Sequence, residues 1–124
     1  MRRSLDLWNF GELDAFFDLY DQDAECITDP SWTERGPYRG REAIRAWYEG
    51  FLEAYSETTS VVTELYESAG TVVARWDWHT VGRATHLEST LDVTALNRIE
   101  GGRIVRQRYF FDHAEAIAAL EAGW

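Results

Sequence analysis

The chain has 124 residues with 22 acidic and 12 basic side chains, a net charge of −10, and every basic residue is Arg. The missing Lys excludes Schiff-base catalysis, a pyridoxal-phosphate site and a Walker-type phosphate loop, each of which needs a lysine amine. The acidic balance argues against a nucleic-acid partner and against an anionic membrane surface, both of which require clustered positive charge.

The length fits one domain, residues 1–124, large enough to bury roughly two-thirds of its extended surface. Six Trp, six Tyr and six Phe accompany it. Each such ring buries about 150–250 Å², so the sequence predicts that some line a cavity or a subunit interface. Cys26 stands alone, which fits a reducing, cytoplasmic compartment. One thiol and three scattered His give no metal-ligand spacing, and no cofactor is expected. No apolar run reaches the roughly 18 residues of a membrane span, and the first residues lack the apolar core of a signal peptide.

In chain order, Leu13, Phe16, Phe17 and Tyr20 fall on one helical stripe and predict a helix over 12–20, set off by Gly11 from a shorter one before it. Residues 24–28 read as a short strand, and Asp29-Pro30 and Gly36-Pro37 as a loop. Ile44, Trp47, Tyr48, Phe51, Leu52 and Tyr55 repeat at helical spacing over 41–55, with Gly40 at the N-cap. Strands follow at about 58–67, 71–81, 86–98 and 103–111, separated by turns at Gly70, Gly82-Arg83 and Gly101-Gly102; a helix over 113–121 ends the order. Helices followed by a run of strands predict an α+β fold: a cone-shaped barrel with helices packed in the concave face of a curved antiparallel sheet. Such a cone suits a small, largely apolar molecule.

Three stretches carry a family resemblance. Trp8-Asn9-Phe10-Gly11-Glu12-Leu13-Asp14, Gly36-Pro37-Tyr38-Arg39-Gly40-Arg41-Glu42-Ala43-Ile44, and Gly102-Arg103-Ile104-Val105 with Tyr109-Phe110-Phe111-Asp112 resemble a helix junction, a loop-to-helix entry and a closing strand. All three are similar to those of the nuclear-transport-factor-2-like superfamily, in particular its SnoaL-like polyketide cyclase group. The likeness covers almost the whole chain. It implies the cone fold, a homodimer through the sheet and a small-molecule ligand. It leaves the reaction open, because the fold hosts isomerases, cyclases, dehydratases, epoxide hydrolases and non-enzymatic modules.

Asp112 matches the strand-end acid/base of the cyclases, and desolvation at the foot of a cone would suit it to proton transfer near neutrality. Asp112-His113-Ala114-Glu115 also reads as a capping box opening the last helix, worth about 1 kcal/mol. Arg75, Asp77 and His79 share one strand face, and the Arg75-x-Asp77 pair with Asp112 resembles the Asp-Arg-Asp set of limonene-epoxide hydrolases. The Tyr-x-Asn pair of that family is missing from Glu25-Cys26-Ile27-Thr28-Asp29. The opposite face, Val72, Ala74, Trp76 and Trp78, is the more apolar, so burial alone would turn Arg75, Asp77 and His79 toward solvent or a partner. His79 and His86 are candidate acid/base groups, and His113 falls in the first turn of the last helix. Tyr20, Trp47, Tyr48 and Phe51 read first as core packing, with pocket lining as the alternative. Arg108 and Phe110 share the strand face of Asp112, and Arg108 is placed to pair with it.

Two functional classes follow. The first is a cofactor-free acid/base enzyme on a small apolar or aromatic substrate, with Asp112 as the acid/base and Asp77, Arg75 or His79 positioning substrate. The second is a non-catalytic ligand-binding or dimerisation module. A cavity of about 300 Å³ or more reaching Asp112 separates them. Epoxide hydrolysis requires Arg75, Asp77 and Asp112 to meet in one pocket.

Overall fold

A computed structural model describes residues 2–9, 11–29, 31 and 36–124, with side chains from residue 6 onward in the first helix. Phe10 of the Trp-Asn stretch and Pro30 of the Asp-Pro loop lie outside the described residues. The elements are α1 (Arg2–Asn9), α2 (Leu13–Phe17), β1 (Tyr20–Ile27), β2 (Tyr38–Arg39), α3 (Arg41–Ala54), β3 (Tyr55–Ser68), β4 (Thr71–Gly82), β5 (Glu88–Glu100), β6 (Arg103–Phe110) and α4 (His113–Glu121). The fold is α+β, as expected: a curved, unclosed six-stranded sheet in the order β2-β1-β6-β5-β4-β3, with four helices.

Local chemistry sets most boundaries. Two hairpin turns place consecutive residues at positive φ, Ala69-Gly70 (50° and 80°) and Gly101-Gly102 (58° and 79°). That geometry matches the right-handed twist of the strands it joins. The turn expected at Gly82-Arg83 is a longer loop, and His86, expected at the start of a strand, sits in it at φ 57°. Arg83 closes the C-terminus of α3 instead, donating to the carbonyls of Leu52 and Tyr55 at 2.9 and 3.2 Å. A guanidinium there satisfies orphan carbonyls and complements the helix dipole. Gly40 enters α3 at φ 90°, which favours glycine.

Asn9 accounts for part of the Trp-Asn stretch. Its amide donates to the Ser60 carbonyl at 2.7 Å and accepts from the Ser60 N–H at 2.8 Å, standing in for a neighbouring strand on β3. This clip docks α1 on the sheet edge and places Trp8 over the core. Tyr20, expected on a helical stripe, opens β1, because α2 ends at Phe17. Its ring still enters the core, against Phe16, Phe17 and Tyr48.

Two features refine the expected architecture. β1 runs parallel to β6 although all other pairs are antiparallel. The helices also divide between the two faces. Trp8, Phe16, Phe17, Ile44 and Tyr48, from α1 to α3, form the concave core with Tyr20 and Ile104. By contrast, α4 lies on the convex face, where Ala116 and Leu120 cover Val73, Leu96 and Phe110. Trp124 anchors it, its indole N–H donating to Thr71 at 2.9 Å and its ring under Arg106 at 4.9 Å. Among the described residues no helix is long and apolar enough to cross a membrane.

Candidate functional site

Strand alternation decides what the concave face offers. On β4, Ala74, Trp76 and Trp78 are buried, while Arg75, Asp77 and His79 point to the convex side. The apolar face therefore turned inward, as burial demands. Trp76 and Trp78 close one wall of a half-open cavity of about 80 Å³. Trp47, Tyr48 and Phe51 of α3 form the opposite wall, and Trp8 and Phe16 lie on the helix-junction side. Tyr20, Tyr109 and Phe111 complete the ring, so ten of the 15 described lining residues are aromatic. Many of the rings meet steeply: Trp76 on Tyr109 at 83°, Tyr48 on Tyr109 at 79°, Phe51 on Trp78 at 67°. They box in a space rather than stack.

A buried polar chain runs behind this box. Asn97 Nδ2 donates to the carbonyls of Val72 and Ala95 at 3.1 and 3.3 Å. Gln107 Nε2 donates to Asn97 Oδ1 at 2.7 Å, and Tyr20 donates to Gln107 Oε1 at 2.7 Å. The Tyr48 hydroxyl is 3.1 Å from that of Tyr20 and 3.3 Å from Gln107 Oε1. Burial pushes the hydroxyls of Tyr20 and Tyr109 well above the ordinary tyrosine range, so both stay protonated. Burial likewise raises the Cys26 thiol, which keeps it a neutral core group.

Asp29 is the one charged residue among the described lining. It is 4% exposed and sits beyond the end of β1, beside the parallel β6. Oδ1 accepts from the Ser31 N–H at 2.8 Å and the Ser31 hydroxyl at 2.5 Å. Oδ2 accepts from the Phe111 N–H at 2.8 Å. Desolvation, the largest single influence, favours the neutral acid. The Ser31 hydroxyl, the Phe111 and Ser31 N–H groups and the Arg108 charge together outweigh it. The carboxyl is held below its ordinary value and is ionised at neutral pH.

The sequence-derived candidates fall into two sets. Tyr20, Trp47, Tyr48 and Phe51 line the cavity. Arg108 and Phe110 do not, because strand parity sends them to the convex face, where the Arg108 guanidinium lies 4.7 Å over the Phe110 ring. Asp112 is exposed and lies outside the cavity. Its carboxylate caps α4, accepting from the N–H groups of Ala114 and Glu115 at 2.9 and 3.3 Å. Arg75 meets Asp92 rather than Asp112, in a two-pronged pair at 3.0 and 2.7 Å, with Asp77 beside it in an open convex groove of about 250 Å³. Arg75, Asp77 and Asp112 thus do not form the three-membered set that epoxide hydrolysis requires. His79 contacts Thr90, and His113 contacts Thr94, both away from the cavity. Among the described residues no group of His, Cys, Asp and Glu is arranged to hold a metal.

Sequence reasoning missed Asp29, Gln107 and Asn97. Asp29 was hidden by its Asp-Pro context, which reads as a turn. Gln107 and Asn97 read as ordinary polar strand positions, and only the concave parity of Tyr109 and Phe111 hints that Gln107 points inward.

The family model of the SnoaL-like domain matches residues 1–107. Several solved structures share the fold at low identity. An NTF2-like protein of unknown function from Burkholderia pseudomallei is 20% identical over 94% of this chain and 91% of its own, with a TM-score of 0.79. A protein with a ketosteroid isomerase-like fold from Catenulispora acidiphila, in complex with trimethylamine, is 15% identical over 86% and 79%, with a TM-score of 0.75. TerC co-crystallised with polyporic acid is 15% identical over 95% and 92%, with a TM-score of 0.76. No curated protein matches the chain.

Proposed function

The chain belongs to the SnoaL-like domain family, and from that premise we propose that it binds a small molecule in the aromatic cavity and acts on it as a cofactor-free acid/base enzyme, with Asp29 as the base. One observation carries this reading: a single ionised carboxylate faces a cavity whose other walls are almost wholly apolar. A carboxylate there is a base with no competing charge among the described lining, and exclusion of water strengthens its field on a bound ligand. Asp112 takes no part, since it caps α4 outside the cavity. The fold neighbours that carry trimethylamine and polyporic acid support a small-molecule site in this architecture.

The cavity is smaller than the 300–1,000 Å³ typical of whole-ligand pockets, so a compact group enters it and the rest of the ligand lies in the mouth. Exchange of α-hydrogens for deuterium tests the enzyme reading. We expect wild-type protein to accelerate exchange, followed by proton NMR, in cyclopentanone or acetonyltrimethylammonium, and Asp29→Asn to lose the acceleration. Failure of the wild type on both carbon acids, or full activity in Asp29→Asn, overturns it.

A second reading, ligand binding without catalysis, is favoured by two observations: the cavity is about 80 Å³ and does not reach Asp112, the outcome that by the criterion above selects the non-catalytic class, and Asp29 already has its donors. Those donors clip the loop after β1 to the end of β6 whether or not chemistry follows. Tight binding without exchange selects it.

We also infer a homodimer through the convex face beside α4. Val61 is 58% exposed and Tyr66 41% exposed there, flanking the Arg75–Asp92 pair. Sedimentation at micromolar concentration tests it, and Val61→Arg should leave a monomer.

A further inference from the structure

The hydrogen-bond chain behind the cavity has a single polarity, and that polarity bears on the ligand. Asn97 commits its Nδ2 to two backbone carbonyls, so its Oδ1 is the acceptor and Gln107 must present Nε2 to it. Gln107 then offers the tyrosines only an acceptor oxygen. Tyr20 gives that oxygen its one hydrogen at 2.7 Å. In either of its contacts, with Tyr20 or with Gln107, Tyr48 is therefore the donor. Both hydroxyl hydrogens point into the wall, and the Tyr20 hydroxyl also bonds that of Tyr109, the third tyrosine of the lining.

The rest of the described lining is mostly aromatic, and its one buried side-chain donor without a partner is the Trp47 indole N–H. The ring faces carry negative quadrupole potential. Among the described residues no guanidinium lies over a cavity ring, because the cation–π pairs use Phe17, Phe110 and Trp124. Asp29 adds a full negative charge at the edge of the box. The positive charge it already feels, that of Arg108, lies outside the lining on the α4 side and offers a ligand nothing to bind.

We propose that the ligand of this cavity is a small organic cation, a compact alkylammonium head seated against the faces of Trp76, Trp78, Trp47 and Phe51 with the Asp29 carboxylate beside it. Ring faces and one carboxylate around a desolvated space are the chemistry that recognises quaternary ammonium groups. The cavity of about 80 Å³ suits a head group of that kind rather than a multi-ring molecule. The net charge of −10 attracts cations toward the surface before they enter. This assignment rests on the small-molecule reading above and names the class of ligand.

The test uses a pair of probes of equal shape, choline and its neutral isostere 3,3-dimethylbutan-1-ol, titrated into the full chain by calorimetry and by tryptophan fluorescence. We expect choline to bind at least about tenfold more tightly than the alcohol. Asp29→Asn, checked for folding by circular dichroism, should narrow that ratio. The wild-type comparison decides the matter even if the variant fails to fold. Equal affinities, tighter binding of the alcohol, or no binding of choline overturn the proposal. Tighter binding of the alcohol leaves the small-molecule reading standing, whereas absence of binding and of α-hydrogen exchange removes both.

Discussion

Replacing Asp29 by Asn tests how the site is held as well as what it does. The carboxylate accepts three donors, two from Ser31 on Oδ1 and the Phe111 N–H on Oδ2. An amide offers one acceptor oxygen and one NH₂ group. In either orientation its NH₂ faces a backbone N–H, so at least one bond to a charged acceptor becomes a donor–donor contact. Hydrogen bonds to a charged group are worth about 1.5–3 kcal/mol each. Relief of the carboxylate's desolvation returns part of the loss, and we expect a net cost of about 2 kcal/mol at pH 7. With a urea slope of about 1–3 kcal/mol/M, the midpoint should fall by roughly 1 M. The difference should also depend on pH. The folded carboxyl is depressed below its ordinary value, so the unfolded chain takes up the proton first as pH falls. Its contribution is complete above the unfolded value near 3.9 and is lost as pH drops through the folded one. Urea unfolding of both proteins from pH 7 downward should therefore show a constant gap that closes only in acid. A gap that persists unchanged at the acid end, or no gap at pH 7, refutes the reasoning.

Three further outcomes follow from the same structure. Gln107→Leu leaves Asn97 Oδ1 and a tyrosine hydroxyl without partners in a buried wall, and should cost about 2–4 kcal/mol in urea unfolding. Asp112→Ala removes the cap of α4 and should cost about 1 kcal/mol, with no change in ligand affinity measured by fluorescence titration. Trp124→Ala removes the indole bond to Thr71 and the ring under Arg106; α4 should then exchange its amide hydrogens faster than β5 does, with a stability loss of about 1–2 kcal/mol.

Much of the fold was legible because its signals are local. The stripe from Ile44 to Phe51 and the glycine pair at 101–102 each specify their own element. The divided alternation of β4 also carried the decisive fact about the cavity, since Trp76 and Trp78 had to be buried and Arg75 and Asp77 did not. What could not be read depends on partners far away in sequence. Nothing near Tyr20 tells whether it continues a helix or starts a strand. That depends on the parallel pairing of β1 with β6, in which Tyr20 lies opposite Ile104. The same pairing makes Asp29 a site residue, by setting its carboxylate against the N–H of Phe111. Asp112 drew attention because it ends a strand, but one residue of parity separates it from Phe111 and the cavity. Gln107 could not be distinguished from a solvent-facing polar position without the tyrosines that meet it.

The parallel seam between β1 and β6 also has a consequence for how the protein is made. The bond from Phe111 to Asp29 spans 82 residues. At about 5–20 residues per second, a nascent chain waits roughly 4–16 s between making one partner and making the other. During that interval the rings of β1 and α3 have no β6 to close over them, and the hairpins from β3 to β5 already have the local contacts they need. The aromatic wall is therefore exposed longest before the Asp29 carboxylate meets the Phe111 N–H. The interval open to misassociation ends only when β6 completes the cavity.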